Sequence, residues 1–412
     1  MYLIDDFVNL TLSAVIDNRR RLLSSNSDIM SDCIFLHNGD ALTELKRLPS
    51  ELVDCVICSP PYWGLRDYKT EGQIGLEPTF EEYINKLIAI FSEVKRVLKK
   101  EGSCWVVLGD TYSGMKVGNT NNKQKNGVNT DSFVKQKSET IPEKSLCMIP
   151  SRFAISMIDS GWILRNDIIW HKPNGMPSSA KDRFTIDYEH VFFFTKSQKY
   201  YFETQYEQLD SKPHKPGNLL AFNHMDNFKN TSGYMKRNLE YMQKHPDRVW
   251  YNSNGRIKRS VWKITTQPYK MAHFAVYPEK LIEIPVKATC PEFICDKCNK
   301  PRNKIIESVL HQTRPGNHGK DSQLADVGHR LYSNLDKRLI AERTEKGLSD
   351  CGCNTGFHGG IVLDCFMGSG TTGLVAIKNA RNFIGIEINA DYIRLAEKRL
   401  EPYIKQEKLV LT

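Results

Sequence analysis

The sequence predicts an α/β protein, a mostly parallel sheet wrapped by helices. Three observations carry this. Apolar strand-length runs alternate with segments of helical period along the chain. The run VDCVIC (53–58) is almost continuously apolar, the mark of a strand buried on both faces. The last stretch reads strand, Gly-rich turn, helix, strand, helix over 360–400.

The elements follow in order. Residues 1–30 read as a helix ending at Arg19-Arg20-Arg21 and a Ser/Asn/Asp-rich linker. CIFLHNGD (33–40) reads as a strand and ALTELKRLP (41–49) as a short helix. VDCVIC then runs into a Pro-Pro turn. In 79–102, Tyr83, Leu87, Ile90, Phe91, Val94 and Leu98 recur at three- and four-residue steps, so a helix is expected there, stopped by Gly102. SCWVVLGD (103–110) is the next strand. Residues 113–145 are rich in Asn, Lys, Gln, Ser and Thr without apolar period, which suggests a mobile loop or lid. A helix near 150–160 and strands at 162–173 and 187–196 resume the pattern, as does FIGIEIN (383–389) near the end.

Length and composition set limits. The 412 residues suit two or three small domains or one large domain with inserts. With 40% hydrophobic and 25% charged residues the chain can bury a sizeable core. No run approaches the ~18 apolar residues of a membrane span. The basic residues of the N-terminus follow its apolar part, the wrong order for a secretory signal, so a cytoplasmic protein without a membrane partner is expected. The net charge is +9. Residues 211–260 hold ten Lys/Arg against three acids, +7 in an eighth of the chain. Phe222, Phe228, Tyr234, Tyr241, Trp250 and Tyr251 are interleaved with them. Basic residues mixed with amides and aromatics suit phosphate neutralisation plus base contact. Lys236, Arg237, Arg248, Arg256, Lys258 and Arg259 are the candidate DNA contacts.

Most of the eleven cysteines, such as Cys33, Cys55, Cys58 and Cys104, sit singly in apolar strands and read as core thiols. Cys295-x-x-Cys298 and Cys351-x-Cys353 differ, being two close pairs separated by 52 residues. Four thiolates in two knuckles are what a structural tetrahedral zinc requires. The single spacer in the second pair departs from the usual two, and Cys290, His311 and His318 are further candidate ligands.

In VLDCFMGSGTTG (362–373), Asp364 ends a strand, Phe366-x-Gly368-x-Gly370 turns, and a helix starts near Thr371. Glycines let a ligand approach the backbone, and the helix start offers free N–H groups. Glu387 ends the next strand, where an acid suits ribose hydroxyls. The loop is neither a phosphate-binding loop with its Lys nor G-x-G-x-x-G. A nucleoside with little phosphate, such as S-adenosylmethionine, fits it. In Ser59-Pro60-Pro61-Tyr62, the prolines lack N–H donors, so their carbonyls and the Ser59 hydroxyl stand as acceptors for an exocyclic amine. Tyr62, with Trp63, is expected to stack on an extruded base.

Ser-Pro-Pro-Tyr together with D-x-F-x-G-S-G-T-T resembles the S-adenosylmethionine-dependent DNA amino-methyltransferases, which methylate adenine N6 or cytosine N4. The catalytic motif comes first, a basic segment follows and the cofactor loop comes last, as in the permuted β class. The resemblance spans most of 31–400. It implies a Rossmann-like sheet in permuted methyltransferase order, with a basic target-recognition insert and a zinc-ribbon-like insert. Residues 31–205 would be the catalytic half, 206–260 the target-recognition region, 261–292 a cofactor-site segment, 293–356 the zinc insert and 357–412 the cofactor-binding half. Ser59, Pro60, Pro61 and Tyr62 would form the base pocket. Asp364, Phe366, Gly368, Gly370 and Thr371 would cradle the methionine part of the cofactor, and Glu387 the ribose. Asn38-Gly39-Asp40 resembles the motif at the adenine end, with Asp40 the acceptor, and HFAVYP (273–278) the segment lining the methionine site. Double-stranded DNA is the implied partner, alongside a cognate restriction endonuclease. Family members acting on adenine usually carry Asp or Asn before Pro-Pro, so Ser59 favours cytosine N4 over adenine N6. Cytosine C5 chemistry needs a Pro-Cys nucleophile, and Cys58 instead precedes Ser59 inside a strand. The competing class is a zinc-containing DNA-binding protein with an inactive methyltransferase core. The intact motifs weigh against it.

Overall fold

The computed structural model describes residues 34–65, 67–68, 70–114, 140–207, 256–267, 276–313 and 338–410. The expected N-terminal helix, most of the 113–145 loop and most of the basic segment, including Lys236, Arg237 and Arg248, lie outside the described residues.

Described residues within Met1–Glu203, Ser260–Pro301 and Gly352–Thr412 form one compact unit. Its centre is an eight-stranded sheet. In chain order the strands are β1 (Ile34–Asn38), β2 (Val53–Cys58), β3 (Leu98–Leu108), β4 (Ile163–His171), β5 (Tyr188–Thr195), β8 (Val261–Lys263), β13 (Ile361–Asp364) and β14 (Asn382–Glu387). Across the sheet the order is β1-β14-β13-β2-β3-β5-β4-β8. Only β5 runs against its neighbours, pairing antiparallel with both β3 and β4. The mostly parallel sheet that the alternating pattern predicts is therefore present.

The central strands are largely apolar on both faces because both are covered. On one face Val56, Cys58, Val106, Leu108, Phe192 and Phe194 pack with α1 (Ala41–Arg47), α2 (Phe80–Val97) and α3 (Ile149–Asp159). On the other, Cys55, Ile57, Trp105, Val107 and Phe193 meet α4 (Glu279–Thr289), α5 (Thr371–Lys378) and α6 (Ala390–Val410). The alternation residue by residue is the two-residue period of a strand.

One boundary differs from the sequence expectation. α2 ends at Val97, not at Gly102, and β3 begins at Leu98. Thr79 caps the helix start, accepting from the Glu82 N–H at 3.2 Å. Gly102 lies inside the strand, where a Cβ would stand 2.7 Å from Leu98 Cγ and 2.9 Å from the Asp54 carbonyl. The glycine is needed for close strand packing, not as a helix stop.

The second unit draws on Thr204–Arg259 and Arg302–Cys351. Its described parts are two ladders. β6 (Tyr206–Glu207) pairs with β7 (Arg256–Ile257). β10 (Lys304–Thr313) pairs antiparallel with β11 (Arg338–Leu348). This long ladder between the two cysteine pairs is not among the elements expected from the residue pattern. Two short strands of the first unit, β9 (Ile294–Cys295) and β12 (Phe357–His358), also pair. No helix among the described residues is long and apolar enough to cross a membrane.

Candidate active site and cysteine cluster

The carboxyl ends of β1, β2, β13 and β14 open on one cavity of about 640 Å³. Ligands of open α/β sheets bind at this edge. Ser59, Pro60, Pro61 and Tyr62 line it, and so do Asp40, Phe366, Gly368, Thr371 and Glu387. Motifs more than 300 residues apart thus meet because β2 and β13 are neighbours.

At one end stands the turn after β2. The Tyr83 hydroxyl donates to the Pro61 carbonyl at 2.7 Å, fixing the turn against α2. Of the acceptors expected there, Pro61 is therefore already engaged. The Tyr62 hydroxyl donates to Glu189 Oε2 at 2.8 Å. Glu189 in turn forms an ion pair with Lys172, whose ammonium lies 4.5 Å from the Trp170 ring centre. Burial, then the Glu189 charge, pushes the Tyr62 phenol well above its usual pKa, while a hydrogen bond with Ser59 pulls the other way. Tyr62 is thus a neutral donor at any ordinary pH. Gly109 makes room for its ring, since a Cβ there would sit 2.6 Å from Tyr62 Cε2. Trp63 does not share the stacking role expected of it. Its ring is buried edge-on to Phe80, with the indole N–H donating to the Glu77 carbonyl at 2.9 Å.

At the other end is the Gly-rich loop. Asp364 is fully buried beneath it and does not reach the cavity wall. Its Oδ1 accepts from the Phe366 N–H at 3.0 Å, and its Oδ2 from the Thr372 hydroxyl at 2.6 Å and the Tyr277 hydroxyl at 2.8 Å. Burial raises its carboxyl pKa to about 6 despite these donors. Gly370 also lies off the cavity. It caps α5 at φ +79°, and a Cβ would meet Ala396 at 3.0 Å. Close approach of α6 requires that glycine. Gly368 is different: at φ +54° it has nothing within 4 Å of where a Cβ would stand. Glu387 accepts from the Gly368 N–H at 2.8 Å and the Asn389 N–H at 2.9 Å, one on each oxygen. Each oxygen keeps a lone pair for a hydroxyl donor. Asp40 caps α1, accepting from the Thr43 N–H and hydroxyl, both at 2.9 Å and both on Oδ1. An open glycine backbone between the buried Asp364 and the half-buried Glu387 carboxyl fits the sulfonium, amine and ribose hydroxyls of S-adenosylmethionine.

Sequence reading missed Lys172, Asn174, Glu189 and Tyr392, which also line the cavity. Glu189 and Lys172 belong to the strands expected at 162–173 and 187–196, but only strand pairing reveals which side chains face the cavity. HFAVYP is described from Val276 on, and Val276 and Tyr277 line the cavity.

The Sγ atoms of Cys295, Cys298, Cys351 and Cys353 lie within 4.8 Å of one another. Asn299 and Asn354, each directly after a pair, have left-handed φ of 55° and 49°. The Asn299 N–H donates to the Cys295 carbonyl at 3.0 Å, closing a knuckle turn. His358 Nδ1 sits 2.6 Å from Asp296 Oδ1. Cys290 is not part of the group; it is buried in the core against α4 and the sheet. His311 lies in β10, and His318 lies outside the described residues. Of the basic candidates in the second unit, Arg256 and Arg259 ion-pair with Glu207 at 2.6 and 2.9 Å, with Lys258 4.0 Å from the same carboxylate.

Acceptor atoms and an aromatic ring at one end of a cavity, with a glycine-opened helix start between carboxylates at the other, suit methyl transfer to a planar base. This is the arrangement of an S-adenosylmethionine-dependent DNA amino-methyltransferase. The chain belongs to the N6/N4 DNA methylase family, which it matches over residues 53–306 and 333–398. It is 33% identical to the Type II methyltransferase M.XycI of Xanthomonas campestris pv. cyanopsidis over 89% of this chain and 87% of that one. It is 32% identical to the Type II methyltransferase M.Cfr9I of Citrobacter freundii over the same shares. Among solved structures it is similar to the PvuII DNA methyltransferase (cytosine-N4-specific), with 18% identity and a TM-score of 0.48 over 92% of this chain and 93% of that chain.

Proposed function

We propose that the protein methylates cytosine N4 at a specific duplex sequence, as the modification partner of a restriction endonuclease. The observation that carries the choice of base is Ser59 at the head of the Pro-Pro-Tyr turn, where adenine enzymes of the resembling family usually have Asp or Asn. The Type II names of M.XycI and M.Cfr9I support a partner nuclease. S-adenosylmethionine, when bound, supplies an electrophilic methyl group. The chain does the rest. The Pro60 carbonyl and Ser59 hydroxyl accept from the amine and direct its lone pair, while Tyr62 stacks on the extruded base. Expression in a methylation-free host followed by nucleoside mass spectrometry and sequencing tests this. N4-methylcytosine at one site is expected; N6-methyladenine alone would overturn the choice of base.

The cofactor end has its own test. Gly368→Ala places a methyl in the open space and strains a left-handed residue by roughly 1 kcal/mol. The KM for S-adenosylmethionine is expected to rise about tenfold for a clash of this size. Thermal stability is expected to fall only slightly.

The cysteine quartet is assigned a structural zinc. Thiolates bound at ~2.3 Å to one tetrahedral ion stand roughly 3.8 Å apart, inside the 4.8 Å limit that holds the four sulfurs. Purified protein is expected to carry one zinc per chain by plasma mass spectrometry. Cys295→Ser is expected to lose it and to lower the melting temperature without abolishing methyl transfer, since no residue there lines the cavity. A metal-free protein of unchanged stability would refute the assignment.

A further inference from the structure

We propose that the loop 173–187, between β4 and β5, is a wedge that fills the stack of the duplex when the target base leaves it. The inference rests on the reading that a base swings into the cavity beside Tyr62. Both ends of the loop are at that cavity, because Lys172 and Glu189 line its wall. A duplex delivering a base to Tyr62 must therefore lie over this rim.

The loop between those ends shows apolar side chains to solvent. Phe184 is 95% exposed and Met176 is 89% exposed. Ile186 beside them is 38% exposed. A lone exposed apolar residue is ordinary, but two large ones on one loop whose ends line the cavity mark an interaction surface. The display is braced. The Lys172 N–H donates to the Asp187 carbonyl at 2.7 Å, closing the neck of the loop. Asn174 Oδ1 accepts from the Thr266 N–H at 2.9 Å, and its Nδ2 donates to Thr266 Oγ1 at 2.9 Å. Asp182 ion-pairs with Lys144 at 2.9 Å, and the Arg183 guanidinium stacks 3.4 Å from the Tyr112 ring centre. Phe184 is thus flanked by a residue pinned on an aromatic ring, yet has no apolar cover of its own.

Duplex DNA is the occupant whose chemistry fits. Extruding a base leaves an apolar gap between stacked neighbours and an unpaired partner base. Proteins that open a base step commonly insert Phe, Met, Leu or Ile there.

The test compares two duplexes carrying the site found by sequencing. One is fully paired; the other has an abasic position opposite the target base, so the base is already unpaired. The double variant Met176→Ala/Phe184→Ala is measured on both, along with Phe184→Leu. For the alanine variant kcat/KM is expected to fall about tenfold or more on the paired duplex, because the gap is no longer filled. It should stay within about twofold of wild type on the abasic duplex, within the spread of neutral surface changes. Phe184→Leu should recover most of the activity. The KM for S-adenosylmethionine and the melting temperature should not move, since both residues are exposed. Equal losses on both duplexes, or none on either, would overturn the wedge. So would a change in oligomeric state with the ratio between duplexes unaltered, which would assign these residues to a contact between copies. A wild-type protein transferring methyl to neither duplex would overturn the methyltransferase reading itself, and the wedge with it.

Discussion

Replacing Tyr62 with alanine is expected to lower methyl transfer to duplex DNA by about ten- to a hundredfold, the worth of one base stacked on an aromatic ring. The loss should be read as tritium transferred from labelled cofactor, with cofactor affinity measured separately by calorimetry and unchanged. Tyr62→Phe separates two parts of the role. It keeps the ring over the cavity but removes the hydroxyl that donates to Glu189 at 2.8 Å. A several-fold loss is expected, since a hydrogen bond to a charged group is worth roughly 1.5–3 kcal/mol and part of that is recovered through Lys172. An alanine enzyme as active as wild type would remove Tyr62 from the base pocket.

Asp364 carries the second large effect. Its carboxyl pKa is raised to about 6 in the folded protein, chiefly by burial, from an ordinary value of 3.8. Between those two values the folded chain holds a proton that the unfolded chain has released. Stability without cofactor therefore falls as pH rises from about 4 to 6, and the loss, on the order of 3 kcal/mol, is complete above that window. Cofactor binding should have the opposite slope, because a cationic sulfonium favours the ionised form: affinity climbs as pH rises through about 6. Asp364→Asn keeps an acceptor for the Phe366 N–H but never ionises. The variant is expected to lose both slopes, to be at least as stable as wild type at neutral pH, and to bind S-adenosylmethionine tenfold or more weakly for want of one nearby charge. Thermal melts and calorimetry from pH 4.5 to 8 check all three. The same slopes in the Asn variant would place the titration on another group.

Much of this architecture was legible in the sequence, for reasons that differ by element. VDCVIC and FIGIEIN read as strands because burial on both faces leaves them almost continuously apolar. Ser59 to Tyr62 and Phe366 to Thr371 were legible because their turns demand prolines and glycines at set positions. The end of α2 was misplaced because Gly102 looks like a stop signal, whereas strand pairing with β2 overrides it from Leu98 onward. Asp364 and Gly370 were read as cofactor contacts, but spacing cannot distinguish a residue that touches a ligand from one that shapes the loop beneath it. Glu189 and Lys172 escaped notice since their proximity to Tyr62 arises only when β5 lies antiparallel between β3 and β4. The ladder of β10 and β11 carries no clean two-residue alternation that would announce it.

The order of strands in the sheet also has a bearing on how the enzyme comes into being. β14 and β13 sit between β1 and β2, and the Asn38 side chain donates to the Glu387 carbonyl across 349 positions of chain. A ribosome adding 5–20 residues per second needs roughly 20–70 s to bridge that interval. For that time β1 has no neighbour and β2 presents one bare edge. Such edges invite pairing with other chains, so a nascent chain of this kind calls for protection by chaperones. The same delay keeps the cavity from existing before the Pro-Pro-Tyr turn is already folded against β3, so its two ends come together in a single step with the last two strands.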